Sequence, residues 1–251
     1  MLPNWLRESL QRLWMENEEA YRRQILDLVP RGADLTLLDI GCQEGGWTSK
    51  VAARMGVPPE NVFGVEVVAE LQDRAAARGY DIRTADLEQA WPFDDASFDV
   101  VHANQVIEHV KRLDHFVGET RRVLKPGGVA VVCTENLASW HNVGAVVFGY
   151  MPFSLTNISA KGPVGNPYAL HSAEEFEAGE SFQHIHVLTL KGLVDIFEMH
   201  GMSVESRFGS GYYPGFGKVG RALARRDLGH AHFIGVVSRS ADAAASGTSP
   251  R

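Results

Sequence analysis

The sequence predicts an α/β fold, a doubly wound and mostly parallel sheet wrapped by helices. Three observations carry this expectation. Over residues 35–134, short apolar runs alternate with longer stretches of helical periodicity, the pattern of strand–helix–strand units. The run Thr36-Leu-Leu-Asp39-Ile-Gly41-Cys-Gln43-Glu-Gly45-Gly46 ends a short strand in an acid and a glycine turn, and helix-compatible sequence follows from Trp47. Such a turn brings backbone close to a small ligand and aims a helix N-terminus at it. Finally, Asp39, Glu66, Asp86 and Asn104 all fall at the ends of successive expected strands. With right-handed crossovers those ends share one edge of the sheet, where ligands bind.

Taken in order, residues 4–29 read as a helix. Leu6, Leu10, Leu13, Trp14, Tyr21, Ile25 and Leu28 recur at three- or four-residue steps, and Pro30 and Gly32 end the pattern. A helix packed against the domain is the preferred reading; the sharper one has it also cover the ligand, with Trp5 and Trp14 lining a pocket. Strands are expected near 35–40, 62–67, 80–85, 98–103 and 129–134, and helices near 47–56, 68–78 and 114–124. Residues 136–182 break the alternation. A short helix and turn fit the start, and 154–181 is rich in Gly, Pro, Asn, Ser and His. Long irregular segments in compact domains are usually functional or disordered. Trp140, Phe148, Tyr150, Phe153 and Tyr168 argue against simple disorder, so the segment reads as a lid over a second ligand. A helix follows, with Thr189 as N-cap, an apolar face of Leu190, Leu193, Val194 and Phe197, and a stop at Gly201. Residues 202–208 and 233–238 supply two more strands. The connection 209–230, with Tyr212, Tyr213, Phe216 and several glycines, is a second candidate for ligand contacts. The expected divisions are an N-terminal helical segment 1–32, a domain 33–239 carrying the insertion 137–182, and a flexible tail 240–251.

The glycine turn suggests the ligand. A dinucleotide site wants glycine at the second fingerprint position so that the backbone can approach the pyrophosphate. Gln43 stands there, and Asp39 would repel a phosphate. S-adenosylmethionine suits both features, since it has no phosphate and carries a sulfonium and an ammonium that an acid attracts. The run resembles the first motif of class I S-adenosylmethionine-dependent methyltransferases. Asn61-Val-Phe-Gly-Val-Glu66-Val67 resembles the second strand, and Asp81-Ile-Arg-Thr-Ala-Asp86-Leu87 the third. Residues 91–110, from Trp91-Pro-Phe through Asn104-Gln105 to Glu108-His109-Val110, resemble the fourth-strand block. Leu124-Lys-Pro-Gly-Gly128 resembles the turn before the fifth strand. The resemblance covers roughly residues 35–135. It implies a Rossmann-like methyltransferase fold, a mostly parallel seven-stranded sheet with an antiparallel last strand, and S-adenosylmethionine as cofactor. By resemblance Asp39, Gly41, Cys42, Gln43 and Gly45 bind the cofactor, with Gly41 and Gly45 shaping the turn. Glu66, followed by Val67, lies about 20 residues beyond it, the spacing at which an acid meets ribose hydroxyls. By resemblance Asp86 and Leu87 hold the adenine, and Asn104 and Gln105 approach the methionine portion. The sequence departs from the family at Gln43, where glycine is frequent.

Composition narrows the function classes. The chain has 251 residues, 45% of them hydrophobic, and a net charge of −7. That charge argues against a broad nucleic-acid footprint. Two cysteines, Cys42 and Cys133, read as reduced thiols. The ten histidines show no metal-ligand spacing along the chain, so no metal is expected. No apolar run reaches the length of a membrane span. The start, Met1-Leu-Pro-Asn-Trp5, lacks the basic-then-apolar pattern of a signal peptide, and a cytoplasmic location is the default expectation.

Methyl transfer from a sulfonium is an in-line displacement, in which the protein mainly positions the acceptor and excludes water. A hydroxyl acceptor benefits from a base. His109, after the fourth strand, is the best-placed candidate. His184 and His186 alternate before a helix, so in an extended strip one faces the site and the other does not. His102 reads as a satisfied core residue. Trp140, Tyr168 and His171 are candidate acceptor contacts. The leading expectation is a methyltransferase acting on a small molecule, with oxygen preferred and a glycan precursor or secondary metabolite as acceptor. An N-methyltransferase and a noncatalytic S-adenosylmethionine-binding module are the alternatives; Gln43 and Asp39 disfavour a nicotinamide oxidoreductase.

Overall fold

The computed structural model describes residues 4–155, 158–159, 161–168, 183–213, 215 and 217–241. His171, Phe216 and nearly all of the expected tail lie outside the described residues. The elements are α1 (Asn4–Leu28), β1 (Leu37–Ile40), α2 (Gly46–Met55), β2 (Val62–Val65), α3 (Ala69–Ala76), β3 (Asp81–Arg83), β4 (Phe98–Asn104), α4 (Leu113–Val123), β5 (Leu124–Glu135), α5 (Trp140–Val147), α6 (Leu190–Met199), β6 (Met202–Ser210), α7 (Gly217–Arg226) and β7 (Phe233–Ser240). The seven strands form one sheet in the order β3-β2-β1-β4-β5-β7-β6. Strands β1 to β5 pair in parallel, while β7 runs antiparallel to both β5 and β6. This is the expected Rossmann-like sheet with an antiparallel last strand.

The central strands are apolar on both faces because helices cover both. On one face Leu38, Ile40, Val101, Ala103 and Val132 join Phe116 and Val117 of α4 and Leu193 and Phe197 of α6. On the other, Leu37, Val62, Val100 and Val131 pack with Tyr21 and Ile25 of α1 and Val51 and Met55 of α2. Alternate residues of one strand thus serve two cores, as the two-residue strand period requires. The Thr189 hydroxyl accepts the Gly192 N–H at 3.1 Å and caps α6 as expected.

Two elements differ from expectation. Strand β5 begins at Leu124, ahead of the Lys-Pro-Gly-Gly turn, and its register with β4 jumps from Phe98↔Leu124 to Val100↔Val129. The turn is therefore a bulge within the strand, made possible by Gly127 at φ 74°. The connection 209–230 contains a full helix, α7. Its flanking glycines disguise it, yet 218–226 holds good helix formers, buries Gly220 and Ala224, and places Arg225 and Arg226 in the last turn, where cations suit the helix dipole. Residues of the insertion pair briefly at Ile158–Ser159 and Gly162–Pro163. Among the described residues, no helix is long and apolar enough to cross a membrane.

Candidate active site

Strand ends β1, β2 and β4 open onto a cavity of about 1370 Å³ that also reaches α1, the start of the insertion and the start of β7. The glycine turn forms its floor. Gly41 and Gly45 have φ of 71° and 75°, and Gln43 adopts φ 50°, a left-handed conformation that favours glycine. The departure from the family at Gln43 therefore leaves the turn intact. A Cβ on Gly41 would lie 2.8 Å from Val106 Cγ2, so this position takes no side chain. Gly41 and Cys42 N–H groups donate to the Val65 carbonyl and tie the turn to β2. The Cys42 side chain is buried; burial, with Asp39 and Glu66 nearby, pushes its thiol pKa well up.

Glu66 is 7% exposed on the cavity wall. Its Oε2 accepts the Gln43 N–H at 3.0 Å, and its Oε1 accepts those of Val67 and Val68 at 2.8 and 2.9 Å. A carboxylate with about four lone-pair sites keeps capacity for a ligand hydroxyl after accepting three amides. Asp39 also lines the cavity. One of its oxygens accepts from Thr48 Oγ1 at 2.5 Å and the other contacts His102 Nδ1 at 2.7 Å, which leaves about two lone-pair sites open. The β1–β4 register puts Asp39 opposite His102. His102 is fully buried and satisfied, with Trp47 Nε1 donating to its Nε2 at 3.4 Å. Val67, Asp86, Leu87, Asn104 and Gln105 all line the cavity. Asp86 Oδ1 also accepts the Glu88 N–H at 2.9 Å, and Asn104 Oδ1 accepts the Cys133 thiol at 2.8 Å. Gln105, at φ 57°, holds its Nε2 buried without a hydrogen-bond partner.

Helix α1 adds residues the preferred sequence reading did not place here. Trp14, Glu18, Tyr21 and Arg22 line the cavity, so α1 packs on the domain and also reaches the cavity with Trp14, while the Trp5 side chain lies outside the described residues. Arg22 pairs with Glu18 at 2.8 Å and lies 5.2 Å over the Trp47 ring, with its Nε buried and without a partner. The signal was available: charged residues at i+4 and i+8 from Trp14 interrupt an otherwise apolar stripe.

At the other end of the cavity, His109 Nδ1 donates to the Gln183 carbonyl at 3.1 Å and His184 Nδ1 to the Ser154 carbonyl at 2.7 Å. A carbonyl only accepts, so each neutral ring carries its lone pair on Nε2. The two rings are 4.9 Å apart. His186 points elsewhere, its Nε2 3.2 Å from the Lys111 carbonyl, and does not line the cavity. The alternation of an extended strip thus separates His184 from His186. Glu108 is buried beside the pair, and burial raises its pKa to about 8. Ligand atoms of Glu108, His109 and His184 lie within 4.8 Å of one another, a set able to hold a cation. Spacing along the chain does not reveal it, because His184 comes from a distant segment.

Tyr168 lines the cavity, and Trp140 does not. Trp140 is instead clamped outside the wall. Its Nε1 donates to Tyr212 Oη at 2.6 Å, and its ring stacks on His230 at 4.5 Å. Tyr212 and His230 in turn bond the two oxygens of Asp227, each at 2.7 Å. The indole N–H of Trp140 thus serves a network rather than a ligand. The inward position belongs to the next residue, His141, which joins Phe153, Ser154, Glu135, Tyr213 and His232 on the wall. Sequence reasoning missed Glu135, His141 and His232; the antiparallel pairing of β5 with β7 brings Glu135 beside His232, and α5 turns His141 to within 4.6 Å of the His232 ring.

The residues present fit S-adenosylmethionine. Gly41 lines the cavity without a side chain, Glu66 offers acceptors for ribose hydroxyls, and the cavity residues Arg22 and Gln105 hold Nε and Nε2 as donors without partners. Comparison with known proteins agrees. The model of a methyltransferase domain family matches residues 13–207. The rat (Rattus norvegicus) ubiquinone biosynthesis O-methyltransferase is 29% identical over 189 residues, covering 72% of this chain and 48% of that protein. The 24-methylenesterol C-methyltransferase 2 of Oryza sativa subsp. japonica is 33% identical over 126 residues, covering 46% of this chain and 33% of that protein. The chain therefore matches about half or less of these relatives' lengths. An S-adenosylmethionine-dependent methyltransferase from Mesorhizobium loti superposes with a TM-score of 0.58 at 18% identity, over 86% of this chain and 96% of that one. With the fold, the turn and the matched domain in agreement, the chain belongs to the class I S-adenosylmethionine-dependent methyltransferases.

Proposed function

We propose that this chain methylates a hydroxyl of a small ring-bearing molecule, with His109 and His184 handling the proton. One observation carries the reading: a single cavity joins the cofactor-binding turn to two histidines whose Nδ1–H donates to backbone carbonyls. When bound, S-adenosylmethionine supplies an activated methyl group and a good leaving group. Glu66 holds the ribose, Asp86 and Leu87 border the adenine, and Arg22 with the first amides of α2 receives the carboxylate. His184 Nε2, or His109 Nε2 beside it, takes the acceptor's proton as the oxygen is methylated. Trp14 and Tyr21 of α1 exclude water from above.

Among the acceptor classes the sequence suggested, the wall of Phe153, Tyr168, Tyr213 and His141 suits a planar secondary metabolite better than a glycan precursor. By their names, one relative methylates oxygen and the other carbon; the histidine pair favours oxygen here, and an amine acceptor would leave it without work. The test is a mass-spectrometric screen of hydroxylated ring compounds for a methyl gain, run beside calorimetry of S-adenosylhomocysteine binding. Methylation of amines alone would overturn the oxygen assignment. Binding without any transfer would support the noncatalytic alternative.

A further inference from the structure

The acceptor end of the cavity contains an ionised carboxylate that the proposed chemistry does not use. We propose that Glu135 selects the acceptor by anchoring a hydrogen-bond donor on it remote from the reacting hydroxyl, so that cationic and neutral rings enter and anionic ones are rejected. The inference rests on the methyltransferase reading above and adds the charge class of the acceptor.

Four observations carry it. Glu135 ends β5 directly opposite Phe233 of β7, so the residue before Phe233, His232, lies beside it, with its Nε2 3.7 Å from Glu135 Oε1. His232 is 4% exposed, whereas Glu135 keeps 15% exposure and lines the cavity. The carboxylate is therefore the member of the pair that a ligand meets.

The charge persists. Burial raises the Glu135 pKa, but the adjacent His232, a bond from Ser154 and, when that ring is protonated, His184 hold it below the usual carboxylate value. His141, 4.6 Å ring to ring from His232, is held neutral because burial, then the charge of His232, lowers its pKa to about 3. Burial, together with Glu135, pushes the Tyr213 phenol up. Glu135 thus stays ionised, paired with His232.

The neighbours do not saturate it. Ser154 bonds one of about four lone-pair sites, and His232 Nε2 stands 3.7 Å from Oε1, beyond hydrogen-bond length. His141 Nδ1 and His232 Nδ1 are buried without hydrogen-bond partners, so the cluster is polar and incompletely bonded.

Finally, among the described residues no Lys or Arg is one of the charges that act most strongly on Glu135. The cavity's Lys and Arg residues among those described are Arg22, Lys50 and Lys111. Arg22 lies over Trp47 and Lys50 is on α2, both on the cofactor side, and the Lys111 backbone N–H bonds Glu88, next to Leu87. Residues 169–182, outside the described set, contain neither Lys nor Arg. A carboxylate or phosphate on the acceptor would face Glu135 with His232 already turned to that carboxylate, while an ammonium would meet Glu135 and the faces of Tyr213 and Phe153.

The test uses the full chain saturated with S-adenosylhomocysteine and three rings of similar shape: tyramine, 4-ethylphenol and 4-hydroxyphenylacetate. Calorimetry should rank their affinities in that order, with about ten- to a hundredfold between first and last, the range of a charged hydrogen bond. Glu135→Gln should collapse the ranking to within about threefold and leave S-adenosylhomocysteine affinity unchanged; Glu135→Asp, which keeps the charge, should preserve it. Tight binding of 4-hydroxyphenylacetate, a ranking that survives Glu135→Gln, or no binding of any ring at millimolar concentration would each overturn the assignment. Loss of S-adenosylhomocysteine binding by the parent chain would instead overturn the methyltransferase reading. Methyl transfer to an anionic acceptor would sink only the role of Glu135.

Discussion

Gln43 shows how a residue can break a motif and keep its geometry. Its left-handed φ of 50° costs about 1–2 kcal/mol for a side-chain-bearing residue, and its N–H anchors Glu66. Gln43→Gly should therefore be neutral or stabilising by up to about 1 kcal/mol in denaturant titrations, once the greater unfolded-chain entropy of glycine is deducted. Glu66→Ala should do two things at once. Removal of charge-assisted bonds to the ribose should weaken S-adenosylhomocysteine binding by about 1–3 kcal/mol in calorimetry. Three backbone amides lose their acceptor as well, so the midpoint of unfolding should fall; unchanged affinity in a folded variant would remove Glu66 from the site. Glu108 sets a pH signature. The folded chain retains its proton up to about pH 8, against an ordinary value of 4.5. Stability from this group is full below that ordinary value and is lost as pH rises toward and through 8, at roughly 1.4 kcal/mol per unit of pKa difference. Glu108→Gln, with chelator present, should flatten that decline in thermal melts at pH 5–8.5.

The elements explain what was legible in the sequence. Strands β1, β2 and β4 and helices α2, α4 and α6 were readable because local pattern and tertiary role agree: apolar runs end in acids, glycines sit where φ is positive, and Thr189 caps its helix. The acids and amides that line the cavity were placed there by the same agreement, each near the end of a strand. Helix α7 was hidden by its flanking glycines, and the orientation of Trp140 by a network of residues from two distant segments. The cavity stripe of α1 and the Glu135–His232 contact depend on packing between remote elements, about which linear spacing is silent. A prediction belongs to α1. Arg22→Ala removes a cation from the cavity and uncovers Trp47, and it should weaken S-adenosylhomocysteine binding about tenfold or more while helicity by circular dichroism stays the same.

At the scale of the whole molecule, the cavity is shared. Tyr168→Ala should raise the acceptor KM or lower kcat with cofactor affinity nearly intact, and a selective loss of cofactor binding would contradict its place at the acceptor end. The aromatic strip beneath α1 has a kinetic meaning. Tyr21 of the cover helix packs on Phe233 at 4.4 Å, and Phe233 stacks on His232 at 4.1 Å. One side of this strip touches the roof over the cofactor, and the other borders the acceptor's anchor. Whatever occupies the acceptor end braces the roof, and by reciprocity whatever lies under the roof shapes the acceptor end. Turnover should then be sequential: cofactor enters first, both ligands are held together for transfer, and the spent cofactor leaves last. Product-inhibition patterns should show S-adenosylhomocysteine competing with S-adenosylmethionine alone, and trapped cofactor should dissociate more slowly whenever an acceptor is seated.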